Sequence, residues 1–326
     1  MRKLYYILVL FGILLNSCDK NEDDEVFASG KTPDWRAVKD LPGLLNQLRY
    51  KIYKEYDVSV AINDTLGWEF RGFNSHGDSI IHYEVLTLGY TMEGEAMRTV
   101  GRTLSKDTAA LIKALELIEK YVAPRLPKSS QYRPYVYLLC DTTYIEYTTY
   151  YGKIHHPKWT MKASILCEDI GMVSQILEMN DREQRFWAGM VLARNHYMAL
   201  YNTYEEDLQD FFSITVDEDD NSLYGKMKIF STGIIPDNQD SIMYASGFLM
   251  DDYRGRYHMG ASSVYKNWKV VQYLFEQSDV QTYMAAVYAF EEEEFEAMLG
   301  GKFDKILEKY RFMKKLLKKF RAEIAP

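Results

Sequence analysis

DREQRFWAGMVLARNHYMALYNTY, residues 181–204, is the longest helix-like run in the middle of the chain. Its apolar residues fall on more than one side of the predicted helix, which is typical of a central helix surrounded by other elements. Asp181 is the predicted N-cap. The run also contains His196, a candidate metal ligand. The simpler interpretation of this lone histidine between Leu192 and Leu200 is an ordinary buried side chain.

The segments before this helix alternate between helical and strand-like patterns. Helices are predicted over residues 41–56 and 105–122, and Ser105 is the predicted cap of the second. The run at residues 133–140 is rich in apolar residues, which predicts burial on both faces. Further strand-like runs occupy residues 57–63, 80–88, 144–151 and 158–167. We therefore expect an α+β fold in which a small, mostly antiparallel sheet packs against helices.

The C-terminal half is predicted to be mainly helical. Residues 205–248 have the features of irregular connecting chain, and helices are predicted over residues 265–275, 282–299 and 302–324. The last helix is amphipathic, and its exposed lysines favour a solvated face over a membrane-surface helix. We expect a single globular domain over residues 34–326, with a candidate sub-division near residue 205.

Residues 1–17 have the features of an export signal. Two basic residues precede the apolar run LYYILVLFGILL, residues 4–15, which is shorter than the roughly 20 residues that span a bilayer. Asn16, Ser17 and Cys18 come next, and the small residue before the cysteine resembles a lipobox, the lipidation site of bacterial lipoproteins. Several acyl chains on Cys18 would give stable anchoring. We predict lipid attachment at Cys18; the alternative is a buried N-terminal helix with an incidental cysteine.

An acidic segment, DKNEDDE, follows at residues 19–25. It lacks apolar residues, so we predict a solvated, flexible tether over residues 18–33. The segment resembles the acidic export signal that follows the lipid-bearing cysteine in surface-displayed lipoproteins of the Bacteroidetes type. That resemblance implies an outer-membrane protein that faces the cell exterior. Without it, the expected location is the periplasmic side.

The composition excludes one class of partner and bears on the state of the cysteines. The formal net charge is −8, so the chain has no electrostatic reason to hold nucleic acid. The 27 tyrosines suit both cores and binding surfaces. Cys140 and Cys167 remain after lipidation, and an oxidising compartment would permit a disulfide between them. Because both end apolar strand-like runs, we expect two buried free thiols, with the disulfide as the alternative.

Common catalytic motifs are absent from the sequence. It contains six histidines, but no pair has the HExxH spacing, and GxSxG, P-loop and GxGxxG motifs are also missing. Residues 217–221 begin like a calcium loop, but Ser222 and Lys228 stand at its sixth and twelfth positions, which excludes an EF-hand. A carboxylate pair for glycoside hydrolysis leaves no local motif and remains open. We predict no catalytic residue and no cofactor.

The order of elements resembles that of the substrate-import-associated zinc metallohydrolase-like lipoproteins of Bacteroidetes type. The shared features are the lipobox, a helix leading into a strand near residues 53–60, a helix ending at Pro124, a buried strand at residues 135–139, the central helix and a closing helix pair. The central helix of that family carries HExxH. The resemblance places His196 on the first histidine, Tyr197 on the catalytic glutamate and Leu200 on the second histidine.

The resemblance implies a zincin-like layout without its chemistry. Zinc hydrolysis needs about three protein ligands and a base, and this chain would keep only His196. Val280 and Tyr283 also stand where acids are expected downstream. We therefore expect a non-catalytic accessory or binding lipoprotein beside a TonB-dependent transporter and its partner lipoprotein, with a glycan or peptide as ligand. The alternative is a hydrolase with an unrecognised metal or carboxylate site.

Overall fold

The computed structural model describes residues 33–88, 98–127, 132–149, 152–162, 166–230, 243–249, 269–272, 274–299 and 301–324. Cys18 and the predicted signal peptide lie outside these residues. The chain divides into two compact units, Met1–Trp35 with Gly67–Glu84 and Arg36–Leu66 with Val85–Pro326. Within the described ranges, none of the helices combines the length and the hydropathy that a membrane span requires.

The described strands and helices are as follows. The strands are β1 (Val60–Ala61), β2 (Thr65–Phe73), β3 (Ser79–Val85), β4 (Arg98–Leu104), β5 (Val136–Thr149), β6 (Gly152–Lys158), β7 (Thr160–Lys162), β8 (Cys167–Ile170), β9 (Met227–Phe230) and β10 (Lys269–Gln272). The helices are α1 (Leu44–Tyr56), α2 (Thr108–Leu117), α3 (Asp181–Thr203), α4 (Glu205–Ser213), α5 (Glu276–Ala289), α6 (Glu292–Leu299) and α7 (Asp304–Ile324). A π-helical turn, Ile118–Val122, and a 3-10 turn, Ala123–Arg125, follow α2, and a second 3-10 turn, Val173–Glu178, precedes α3.

Six of these strands form one mixed sheet in the larger unit, and β5 is its hub. It pairs in parallel with β1 and β8, and antiparallel with β4 and β6, while β7 pairs antiparallel with β8. Outside this sheet, β9 pairs with β10 and β2 pairs with β3. The expected α+β fold is confirmed in its coarse features: helices and strands are mixed, and a small sheet packs against helices. The six-stranded sheet has three antiparallel and two parallel strand pairs.

Both faces of β5 are buried over residues 136–140, as the apolar run there predicts. Tyr137 and Leu139 face the main core together with the helices, whereas Val136, Leu138 and Cys140 face a second, smaller apolar cluster. Cys140 and Cys167 are buried free thiols, so the expected alternative of a disulfide is not observed.

The helix α3 crosses the core as its apolar pattern predicts. Trp187 is fully buried, and its indole N–H donates to the Gly171 carbonyl oxygen at 3.0 Å. A Cβ atom on Gly189 would lie 2.4 Å from the Ala285 carbonyl oxygen. Glycine at position 189 therefore permits the close approach of α3 and α5.

Two predicted helix caps are wrong by one or two residues. The N-cap of α3 is Asn180, whose side-chain oxygen accepts from the N–H groups of Arg182 and Glu183, so Asp181 lies in the first turn. The N-cap of α2 is Asp107, which accepts from two N–H groups of the first turn, and Ser105 precedes the helix. In each helix a residue with a capping side chain stands directly before the first helical residue and takes the cap position.

Three predicted elements are also wrong. The strand-like runs at 133–140 and 144–151 contribute to one strand, β5, because pairing with β4 and β6 continues past Asp141. Residues 269–272 form strand β10 where a helix was expected. The segment expected to be irregular from residue 205 begins with α4, whose apolar side is buried. Local patterns missed the continuity of β5 and the strand β10 because β4 and β9, with which they pair, are distant in sequence.

Candidate functional site

His196 lies in the packed core between α3, α5 and α7. The side chain is 2% exposed, and its Nδ1 lies 2.9 Å from the Tyr288 hydroxyl oxygen. The rings of Tyr132 and Phe320 pack edge-on against the imidazole. Among the described residues, the Nε2 atom has no hydrogen-bond partner. Burial, assisted by the positive charge of Arg321, lowers the pKa of His196 to about 4, so the imidazole is neutral at pH 7.

The other two positions of the expected metal motif are engaged in packing. The Tyr197 hydroxyl accepts a hydrogen bond from Arg194 at 2.7 Å, and Arg194 also pairs with Glu168 at 2.9 Å. Leu200 is fully buried. Leucine offers no ligand atom, and this tyrosine is held by a cation rather than aimed at a shared site with His196.

The downstream positions expected to carry acids are also apolar core. Val280 and Tyr283 on α5 are fully buried. In the described part of the chain, no three histidine, cysteine, aspartate or glutamate residues cluster in a way that could hold a metal ion. The structure thus brings His196 together with aromatic rings and Tyr288, and no carboxylate among the residues described contacts the imidazole in a metal-binding cluster.

Two adjoining pockets on the larger unit form a groove beside α3, which we call the arginine groove. One pocket has a volume of about 230 Å³ and the other of about 500 Å³, and both are lined by Tyr121 and Arg185. The smaller pocket is completed by Arg125, Gly189, Tyr288, Ala289, Phe290 and Glu291. The larger is completed by Lys113, Glu116, Leu117, Lys120, Asp181 and Gln184.

The last carbonyl groups of α5 hold the two arginines in the groove. Arg125 donates to the Tyr288 carbonyl oxygen at 2.7 Å, and Arg185 donates to that of Ala289 at 3.1 Å. These carbonyls have no intrahelical partner at a helix C-terminus, where cations are favoured. Arg185 also pairs with the Glu294 carboxylate and covers the ring of Phe290 at 5.1 Å. Arg125 is exposed, and its guanidinium is the freer of the two to meet a ligand.

Tyr288 connects the groove to the buried histidine. It lines the smaller pocket, its carbonyl oxygen accepts from Arg125, and its hydroxyl group reaches His196. The Arg321 guanidinium lies over its ring at 4.6 Å. Burial raises the pKa of Tyr288 to about 12, so the phenol stays protonated at neutral pH. This network can bind and orient polar groups, but neither His196 nor Tyr288 is poised to exchange protons near pH 7.

The sequence patterns missed a second buried polar cluster. Lys309 of α7 and Asp279 of α5 are completely buried and form an ion pair. The ammonium group also donates to Thr215 at 2.7 Å, to the Tyr224 hydroxyl at 2.9 Å and to the Gly247 carbonyl at 3.0 Å. Burial lowers the pKa of Lys309 and raises that of Asp279, and their mutual attraction opposes both shifts. Neither pocket of the arginine groove is lined by a residue of this cluster.

A signal for this cluster was present in the amphipathic pattern of α7. Lys309 falls three residues after Ile306 and four before Met313, on the stripe that packs into the core. A lysine on such a stripe is rare unless it is paired. Its partner Asp279 follows no local rule that would single it out.

Comparisons with protein-family models, with curated proteins and with solved structures found no match to this chain.

Proposed function

We propose that this protein is a lipid-anchored, non-catalytic binding protein of the outer membrane that faces the cell exterior. It has a zincin-like layout and serves a TonB-dependent uptake system, where it holds a glycan or a peptide. The observation that carries the non-catalytic part is the packing of His196. The resemblance implies that His196 stands for the first zinc ligand, and in this chain two aromatic rings pack against that histidine.

The arginine groove supports a binding role. Aromatic rings offer flat apolar surfaces to sugar rings and side chains, and arginine offers several hydrogen-bond donors in a fixed plane. Tyr121, Arg125 and Arg185 place both kinds of group along one groove. Lysines 113 and 120 and the acids Glu116 and Asp181 line its larger part, so the charges are mixed. A mixed lining suits neutral or zwitterionic ligands.

The shape of the groove favours an oligomer over a single small molecule. The two pockets share Tyr121 and Arg185, so a ligand with two or more units can occupy both and contact these residues at its middle. Typical pockets for small ligands have volumes of roughly 300–1,000 Å³. The smaller pocket, at about 230 Å³, is therefore suited to one sugar or one side chain.

Replacing Tyr121 by alanine should weaken ligand binding by roughly 10–30-fold, the effect of removing a central aromatic contact. A thermal-shift screen of glycan and peptide oligomers identifies the ligand, and isothermal titration compares the variants. Tyr50→Ala is the matched control, because Tyr50 is also partly buried but lies on α1 outside the groove. Equal affinities of the two variants would show that the ligand does not bind in the arginine groove. Stoichiometric zinc that is lost in His196→Ala would contradict the non-catalytic role and favour a hydrolase.

Replacing Cys18 by alanine should abolish lipid attachment, since the acyl chains need the thiol and the amine of this residue. The measurement is incorporation of labelled palmitate, together with fractionation of the cell envelope. Cys140→Ala is the control, because this buried thiol should have no part in anchoring. Palmitate retained by Cys18→Ala would show that the anchoring proposal is wrong.

A further inference from the structure

The smaller compact unit contains a β-hairpin with two different faces. Trp35 identifies the first face, because a Cβ atom on Gly67 would lie 2.7 Å from its ring. The Trp35 ring also lies 6.2 Å from that of His82, between centroids. Gly67 of β2 and His82 of β3 therefore point to the same side. Alternation along each strand places Glu69 and Glu84 on that side as well.

Apart from Ile80, which alternation places on the side of His82, this first face is polar and internally paired. Glu69 forms an ion pair with Arg71 at 2.7 Å, and His82 lies 3.2 Å from Glu84. The Trp35 ring covers this face near Gly67 and His82, and the charged side chains of the face pair with one another. It therefore does not need a further partner.

The opposite face is apolar and exposed. Alternation assigns to it Trp68 and Phe70 on β2, and Ile81 and Tyr83 on β3. Phe73 joins them, because Gly72 interrupts the alternation at φ 114° and the Phe73 ring packs edge-on against that of Phe70 at 5.1 Å. All five residues are exposed, Trp68 at 64% and Phe73 at 67%. We call these five residues the apolar face.

We propose that the apolar face of this hairpin rests on the lipid surface to which Cys18 anchors the protein. The inference rests on the proposed function in one respect, the lipid on Cys18. Between Cys18 and Trp35 the chain has 17 peptide links, which span at most about 60 Å when fully extended. The described chain meets the hairpin at Trp35, on its polar face. The reach of the tether leaves the opposite, apolar face free to lie against the lipid surface.

The composition of the face favours a bilayer interface. Tryptophan and tyrosine are the residues that concentrate at the boundary between headgroups and acyl chains, because each joins an apolar ring to a polar tip. The face carries no lysine or arginine that would need an anionic partner. We therefore expect contact with zwitterionic lipids and little dependence on salt.

The turn of the hairpin sets its orientation. The connection from Asn74 to Asp78 is polar, and the Asn74 side chain accepts from the N–H groups of His76 and Asp78 at 2.9 Å. Such a turn is costly to insert into hydrocarbon. The hairpin therefore lies flat, with rings at the depth of the interface and with its strand edges still hydrated, as open sheet edges require.

Quenching of tryptophan fluorescence by brominated lipids tests this contact. The purified full-length lipoprotein is reconstituted in phosphatidylcholine vesicles with or without bromine on the acyl chains. We expect quenching in the wild type, its loss in Trp68→Phe, and its retention in Trp35→Phe, the same substitution on the polar side. Both variants keep an aromatic ring and should fold, which far-ultraviolet circular dichroism verifies.

The outcomes separate this inference from the proposed function. The mass of the N-terminal peptide shows independently whether Cys18 is acylated. Acylated protein without any quenching that depends on Trp68 overturns the inference and leaves the lipid anchor intact. A crosslink from position 68 to a protein, in place of quenching, overturns it as well. An unacylated Cys18 contradicts the proposed anchoring and, with it, this inference.

Discussion

Replacing Lys309 by methionine is expected to lower the free energy of unfolding by about 3–5 kcal/mol, the typical cost of removing one partner from a buried ion pair. Methionine has a similar length, so the change leaves little cavity. The loss arises because the Asp279 carboxylate stays in the core without its counter-ion. It would keep one hydrogen bond, from Tyr224 at 2.6 Å, and its second oxygen has no partner among the described residues.

Several groups besides Asp279 stabilise the ammonium form of Lys309 and oppose the lowering of its pKa by burial. Three oxygens other than the carboxylate lie within hydrogen-bond distance and share its three N–H groups with Asp279, and four aromatic rings surround it. The distances from Nζ to the ring centroids are 4.3 Å for Phe211, 4.9 Å for Tyr283, 5.3 Å for Tyr224 and 5.4 Å for Phe248. Each ring face attracts a cation, and the attraction grows when water is absent. The site therefore compensates for the desolvation of Lys309 better than the ion pair would alone.

Urea denaturation at neutral pH measures the effect, with two further variants. Lys315→Met is the matched control, since Lys315 is exposed on the same helix and its replacement should change stability by less than about 0.5 kcal/mol. The double variant Lys309→Met/Asp279→Asn should be more stable than Lys309→Met, because the uncompensated charge is gone. If Lys309→Met and Lys315→Met are equally stable, the buried pair does not support the fold.

The same cluster shows how far the sequence could predict this fold. Where local periodicity is strong, as in α3 and α7, the predicted helices agree with the structure to within a few residues. The apolar run of β5 also predicted burial on both faces. A lysine within the stripe of α7 was visible in the pattern, whereas Asp279 was not, because it meets Lys309 only through the packing of two helices.

The arginine groove was beyond local prediction for a related reason. Arg125 meets the Tyr288 carbonyl across 163 residues of sequence, and Arg185 meets Glu294 across 109. No spacing rule connects such residues, since the distance along the chain carries no information about the crossing of α3 and α5. His196 was identified as a candidate, but its sequence neighbours could not show that Tyr288, Phe320 and Tyr132 would surround it.

Lowering the pH from 6.5 to 4 should destabilise the wild type through His196 by about 3 kcal/mol, because burial lowers its pKa from 6.5 to about 4. Over this range the unfolded chain binds a proton at position 196 that the folded chain does not. The free energy of unfolding therefore rises with pH between 4 and 6.5, and this contribution is constant above that window. Tyr132 and Phe320 supply no counter-ion, and Arg321 repels the protonated ring.

The variant His196→Gln isolates this effect from the carboxylates that titrate at the lower end of the range. Glutamine keeps a polar contact for the Tyr288 hydroxyl but does not titrate, so the difference between its pH profile and that of the wild type reports position 196 alone. Tyr288→Phe removes the hydrogen bond while the imidazole stays buried, and it should keep most of the slope. A profile of His196→Gln parallel to that of the wild type from pH 7 to 4 would mean that the imidazole can take up a proton in the folded state. That result would contradict the burial of a neutral His196 in an aromatic core, on which the non-catalytic proposal depends.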